Sequence, residues 1–335
     1  MRPRFLLFVA ACSMLAACGG HALDTAAPAP AAPAGPAAAG MHARPAVTAA
    51  LLYVADASTN TVDEFFPTDN GNVTPFSTIS GPDTGLGLPH GVAVGIDGSI
   101  YVSNDALPGS VTVYGPGSSG DAVPARTITC GGLKQPAGMS LDAAGNLYVA
   151  NSGGKSISIF SPTDSGCVSG NQIISGAQTC IFEPNDVDLR DDGQIYVASS
   201  ASVLVFSAGA HGNVSPIQKI AGSNTQLLGS VRSVSLDSSF DIFVASASQH
   251  QAGRITVYSP TATGNVAPIR RISGAATTLG AVQYVELDPI DQAYVSNGAD
   301  VDVFAAGASA NTAPLQIISG PSTTLVNPLG LDITP

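Results

Sequence analysis

Short runs in which apolar residues alternate with small or polar ones recur along most of the chain. Gly138-Met139-Ser140-Leu141 alternates strictly, and Ser156-Ile157-Ser158-Ile159 does so before ending in Phe160. A period of two puts every second side chain on the same face, so these runs predict half-buried strands. Two further runs belong with them, Asn146-Leu147-Tyr148-Val149-Ala150 and Gln172-Ile173-Ile174-Ser175. Turn formers separate the four: Ala143-Ala144-Gly145, Ser152-Gly153-Gly154 and Ser161-Pro162-Thr163-Asp164. Sustained helical spacing is missing from residues 49–335.

The group of four runs is one copy of a repeat. Tyr53-Val54-Ala55-Asp56 returns as Tyr101-Val102-Ser103-Asn104, Tyr148-Val149-Ala150-Asn151, Tyr196-Val197-Ala198-Ser199, Phe243-Val244-Ala245-Ser246 and Tyr294-Val295-Ser296-Asn297. The aromatic positions lie 48, 47, 48, 47 and 51 residues apart. Four short strands at this period make one propeller blade, and each blade buries its faces against its neighbours. The reading is an all-β, six-bladed propeller with four antiparallel strands per blade. The last residues, Pro328-Leu329-Gly330-Leu331-Asp332-Ile333, match Pro89-His90-Gly91-Val92-Ala93-Val94, whereas the first copy starts directly at Leu51-Leu52-Tyr53. The C-terminal strand is therefore expected to complete the first blade and close the ring, removing a raw edge.

The string Pro-x-Gly-Val-Ala-Val, then Asp-Gly-x-Ile-Tyr-Val, then x-Val-Tyr, clearest in residues 89–114, resembles the NHL repeat. The Tyr-Val-Ser/Ala-Asn string also resembles the YVTN repeats of surface-layer proteins, which are shorter. The chain has no Trp, and so none of the Trp-Asp pairs of WD40 repeats.

Ahead of the repeats the chain changes character. Arg2 and Arg4 precede an apolar run over residues 5–17, interrupted only by Ser13, which is too short to span a bilayer comfortably but suits a signal peptide. Leu15-Ala16-Ala17-Cys18 resembles the lipobox of bacterial lipoproteins. That resemblance implies cleavage before Cys18, acylation of Cys18 and, in a cell with two membranes, anchoring to the outer one. Several acyl chains, each contributing ~0.8 kcal/mol per buried CH₂, would hold the protein there. Residues 19–48, rich in Ala and Pro, read as a flexible tether, and residues 49–335 as the propeller. The only membrane partner expected is the one reached through the lipid.

Composition supports a compact all-β domain: 37 Gly, 24 Pro and only 11% charged residues. The net charge is −12, and loss of the segment carrying Arg2 and Arg4 takes it to −14. A surface of that sign repels phosphate backbones, so nucleic acid is not an expected partner.

In a propeller the opening strands of all blades converge on the axial mouth. The residue after each repeat's proline, or its equivalent, falls there: His90, Ala137, Asn185, Arg232, Gln283 and Leu329. His90, Asn185, Arg232 and Gln283 are polar and mutually different within a repetitive scaffold, which marks them as ligand-binding candidates. Alternation also turns Asp186, Asp188, Glu286 and Asp332 towards the axis. Carboxylates so placed call for water, a cation or hydrogen-bond donors. Ca²⁺ in an acidic channel would serve, and so would water, Arg190, Arg232 or backbone amides.

Pro184-Asn185-Asp186 resembles a metal-binding Pro-Asn-Gly segment of gluconolactonase-like propellers, with Asp in place of Gly. Pro89-His90-Gly91 resembles a histidine-bearing segment of propeller lyases. A metal-dependent lactonase, hydrolase or lyase is accordingly the alternative function. It would place Asn185, Asp186 and Glu286 near the metal, with His90 as acid or base. A lone histidine cannot build a zinc site, however, and neither a nucleophile elbow nor a phosphate loop is present. The leading expectation is an extracytoplasmic, membrane-anchored propeller that binds a protein or small-molecule ligand. Of Cys130, Cys167 and Cys180, one pair is expected to be oxidised outside the cytoplasm. Cys167 with Cys180, flanking one outermost strand, and Cys130 with Cys180, in successive connections between blades, are the pairings weighed.

Overall fold

The structure is a computed structural model that describes residues 50–130, 132–168 and 172–334; the segments read as signal peptide and tether, with Cys18, lie outside that range. Six four-strand antiparallel units make up the described residues, five of them in chain order from the axis outwards and the first opened by the last strand of the chain. Their innermost strands are Pro328–Ile333, Pro89–Val94, Pro136–Leu141, Pro184–Leu189, Ser230–Leu236 and Val282–Leu287, in blades 1 to 6. Three single 3₁₀ turns, at Ala177–Thr179, Ser223–Thr225 and Ala275–Thr277, supply the helical residues assigned among those described.

The apolar content of each repeat goes into the interfaces between blades. Six core clusters exist, one for each pair of neighbouring blades, including that between blade 6 and blade 1. Second strands such as Leu52–Asp56 and Leu147–Asn151 are buried along their whole length, because blades cover both faces. That explains their unbroken apolar runs. Each third strand ends in a fully buried ring, as at Phe65, Tyr114, Phe160, Phe206, Tyr258 and Phe304.

The chain closes as its ends predict. The last strand pairs antiparallel with the first, Leu331 opposite Val54 and Ile333 opposite Leu52. A second closure runs around the circumference. The outer-strand isoleucine of each blade bridges in parallel to the next blade's third loop: Ile79 to Gly120, Ile174 to Gly212, Ile220 to Gly264, Ile272 to Ala310 and Ile318 to Gly71. In the following position Asn72, Asp121, Asn213, Asn265 or Asn311 accepts a backbone N–H from the neighbouring blade, at 2.6–2.8 Å. Each of these side chains lies over a glycine in a positive-φ conformation, Gly81, Gly176, Gly222, Gly274 or Gly320. A Cβ on any of these glycines would meet the side chain's oxygen at 2.3–2.7 Å.

At the remaining interface, blade 2 to blade 3, the loop forms a short strand, Gly166–Cys167, parallel to Arg126–Thr129. There Cys130 and Cys167 are joined in a disulfide, and Cys180 is free and exposed. This is neither of the pairings weighed from the sequence, both of which involved Cys180.

Candidate functional site

Every innermost strand carries a β-bulge at the same place. In blade 4, Pro184 faces Ser199 and Asp186 faces Ala198, which leaves Asn185 as the extra residue. Arg232 is left over between Val231 and Ser233, and Gln283 between Val282 and Tyr284. The register slips by one residue in the matching stretch of the other three, which holds His90, Ala137 and Leu329. A bulge re-aims side chains and is favoured beside functional sites. The six positions assigned to the mouth thus share a backbone device as well as a location.

One layer deeper the axis is blocked. Gly330, Gly91 and Gly138 let the inner strands of blades 1 to 3 crowd together. A Cβ on Gly330 would sit 2.6 Å from the His90 carbonyl oxygen, and one on Gly91 2.5 Å from that of Ala137. Blades 4 to 6 fill the space with Asp186, Ser233 and Tyr284. The Tyr284 hydroxyl donates to Asp186 Oδ1 at 2.8 Å, and the Val234 N–H donates to Oδ2 at 3.0 Å. Burial raises the Asp186 carboxyl to about 8, against the pull of these hydrogen bonds. It holds a proton at neutral pH. Tyr284 is raised well above its usual value, first by burial and then by the adjoining acids, and remains a donor.

Beyond this plug lies a cavity of about 150 Å³, lined by Asp188, Glu286, Asp332, Ser140, Tyr284 and apolar walls that include Val92, Met139 and Leu331. It has room for several waters. Backbone amides largely meet the carboxylates' needs. Leu189 donates to Asp188 at 2.7 Å, Ile333 to Asp332 at 2.7 Å, and Val94, from the neighbouring blade, to Asp332 at 2.5 Å. Ser235 donates to Glu286 at 3.4 Å. All three carboxyls are raised by burial foremost, and Asp188 and Glu286 also by mutual repulsion within the group. Arg190, one of the partners considered for them, instead lies over the Phe240 ring at 4.2 Å and pairs with Asp192 at 3.6 Å. Among the described residues no group of three His, Cys, Asp or Glu side chains is arranged to hold a metal ion, so the Ca²⁺ expectation gains no ligand set from the geometry.

The channel therefore has two chemically opposite ends. At the mouth, the Asn185 amide donates to the Val231 carbonyl at 2.8 Å. His90 is lowered to about 4, first by burial and then by Arg232, so its imidazole is neutral. His90 Nδ1 and Arg232 Nε are both buried without a hydrogen-bond partner. Glu286 lies three residues beyond Gln283 along its strand, about 10 Å at the usual rise. Glu286 therefore lies apart from His90 and Asn185 at the mouth, and Asp186 is consumed in the plug between.

The strand order brings two sets of loops to the mouth: those entering the innermost strands and the turns between second and third strands. Large apolar side chains are exposed on both. Leu88, Phe182 and Val326 precede innermost strands and are 49%, 49% and 57% exposed; Leu107, between Ile100–Asn104 and Ser110–Tyr114, is 86% exposed. The Leu107 turn is tied to the strand entry by Asp105 and Ala106 N–H bonds to the Leu88 and Gly87 carbonyls, each 3.1 Å. The sequence reading passed over this rim, although its signal was plain: apolar residues in segments otherwise composed of turn formers.

No family model matches the chain, and no curated protein matches it. Among solved structures it is similar to the crystal structure of the WD40 β-propeller domain of Doa1, with a TM-score of 0.54 at 13% identity. The likeness covers 82% of this chain and 86% of that one. At such identity it shows the propeller fold and nothing finer.

Proposed function

We propose that this chain is a binding propeller of the NHL-like kind, held at the bacterial outer membrane by acylation of Cys18, which engages its ligand or protein partner at the axial mouth. The observation that carries the reading is the mouth itself: four dissimilar polar side chains on aligned bulges, bordered on blades 1, 2 and 4 by exposed Val326, Leu88, Leu107 and Phe182. A few convergent polar groups set beside exposed apolar side chains are the usual make-up of a ligand-binding site. Asp186 and Tyr284 block the axis beneath it, so the mouth is a cup rather than a pore. The enzyme alternative lacks comparable support, because its named residues are divided between the two sides of the plug.

Melting the detergent-solubilised protein against a library of metabolites and peptides tests the mouth. Compounds that raise the Tm of wild type but not of Gln283→Ala support the reading. Hits that all survive the substitution contradict it. Fatty-acid labelling tests the anchor: Cys18→Ala is expected to abolish labelling, whereas replacing the other cysteine of the leading segment, Cys12→Ala, should leave it intact.

A further inference from the structure

Arg232 stands apart from the other arginines. Each of the other five described arginines has an ion-pair or hydrogen-bond partner. Arg232 has neither among the described residues, although its side chain is half-buried on a bulge and its Nε is shut away from water. Beside it His90 Nδ1 is also buried without a partner. Two orphaned nitrogens at one mouth, one of them on a permanent cation, are costly unless something meets them. The acids of the channel do not, since none forms an ion pair with Arg232. The whole molecule, at net charge −12, does not attract anions through its bulk field.

We infer that the mouth recognises the anionic group of its ligand, a carboxylate or a phosphate, through the Arg232 guanidinium, with the His90 imidazole and the Gln283 amide beside it. A guanidinium offers two parallel N–H donors that match the two oxygens of either group, and a half-buried position strengthens the pairing. This rests on the mouth-binding reading and narrows it to one ligand class.

The test uses inorganic phosphate and acetate as probes of the detergent-solubilised protein, at ionic strength held constant with chloride. Wild type is expected to show a saturable rise in Tm with one or both probes. Arg232→Gln should weaken that response by about tenfold or more, while Arg271→Gln, which alters an exposed arginine away from the mouth, should keep it. If Arg232→Gln folds poorly, Arg232→Lys serves, since it keeps the charge but loses the two-pronged geometry and should bind more weakly than wild type. No response beyond chloride in wild type, or equal responses in wild type and the Arg232 variants, would overturn the proposal. Stabilisation by neutral compounds alone, lost in Gln283→Ala, would also overturn the anionic class yet leave the mouth reading standing.

Discussion

Cys130 and Cys167 occupy the positions that a glycine and an asparagine or aspartate occupy at the five other blade interfaces. Ile128-Thr129-Cys130 aligns with Ile79-Ser80-Gly81, and Gly166-Cys167-Val168 with Gly71-Asn72-Val73. The disulfide substitutes for a clasp made elsewhere by a side-chain carbonyl over a glycine.

This equivalence predicts a rescue. Cys130→Ala with Cys167→Ala should cost about 2–4 kcal/mol, the usual loss for a cross-link spanning a loop of this size. Cys130→Gly with Cys167→Asn should recover part of the loss by rebuilding the common clasp, and glycine also suits the positive φ of 65° at that site. Urea unfolding of both pairs measures it; equal stabilities would show that the interfaces are not equivalent.

The repeat explains how much of this was legible in the sequence. Six copies aligned on Tyr-Val or Phe-Val strings yielded the blade count and the closing strand, because one period governs both. Pairing across blades was not legible from a single copy. The Cys130–Cys167 link follows only once Cys167 is seen in the place of Asn72 and Asn213, a correspondence between blades that neither flanked strands nor successive connections reveal. The bulges were hidden too: an extra residue shifts the register without disturbing the spacing of repeats. Strict alternation turned Asp186 and Asp188 towards one axis but gave no sign that Asp186 would be spent on Tyr284, leaving Asp188 in a separate cavity on the far side of that pair.

Close packing at the plug sets a second expectation. A Cβ on Gly138 would sit 1.9 Å from Asp186 Oδ1 and 2.8 Å from the Asp186 Cα, so relief requires backbone movement. Gly138→Ala should therefore destabilise by about 3 kcal/mol, at the upper end of overpacking costs. Gly115→Ala, where a Cβ meets nothing within 4 Å, should cost about 1 kcal/mol or less. Similar melting temperatures for the two variants would contradict the packing of the plug.

Stability should fall as the solution becomes alkaline. The Asp186 carboxyl is raised from 3.8 to about 8, so the folded protein keeps a proton that the unfolded chain releases. Its contribution is full below about pH 4 and is lost as the pH rises through 8. Asp188, Glu286 and Asp332 shift in the same direction. His90, lowered from 6.5 to about 4, works the opposite way: its contribution is present above 6.5 and lost as the pH falls towards 4. Between pH 6.5 and 8 Asp186 acts without that opposition, joined by Asp188 up to about pH 7, whereas Asp332, raised only to about 6, has already ionised; each proton difference is worth about 1.4 kcal/mol per pH unit. Urea unfolding across this window should show declining stability, with a shallower slope in Asp186→Asn. A flat or rising profile in wild type would contradict protonation of the plug and cavity.

The mouth reading is tested most directly by where the protein touches something else. A photo-crosslinking amino acid placed at Leu107, on the mouth rim, or at Ile96, an exposed residue in the turn at the opposite end of the same blade, reports on the two faces separately. In cells producing the full-length protein, Leu107 is expected to yield a discrete adduct by mass spectrometry and Ile96 none. An adduct from Ile96 and not Leu107, or equal capture from both, would contradict the mouth as the binding face.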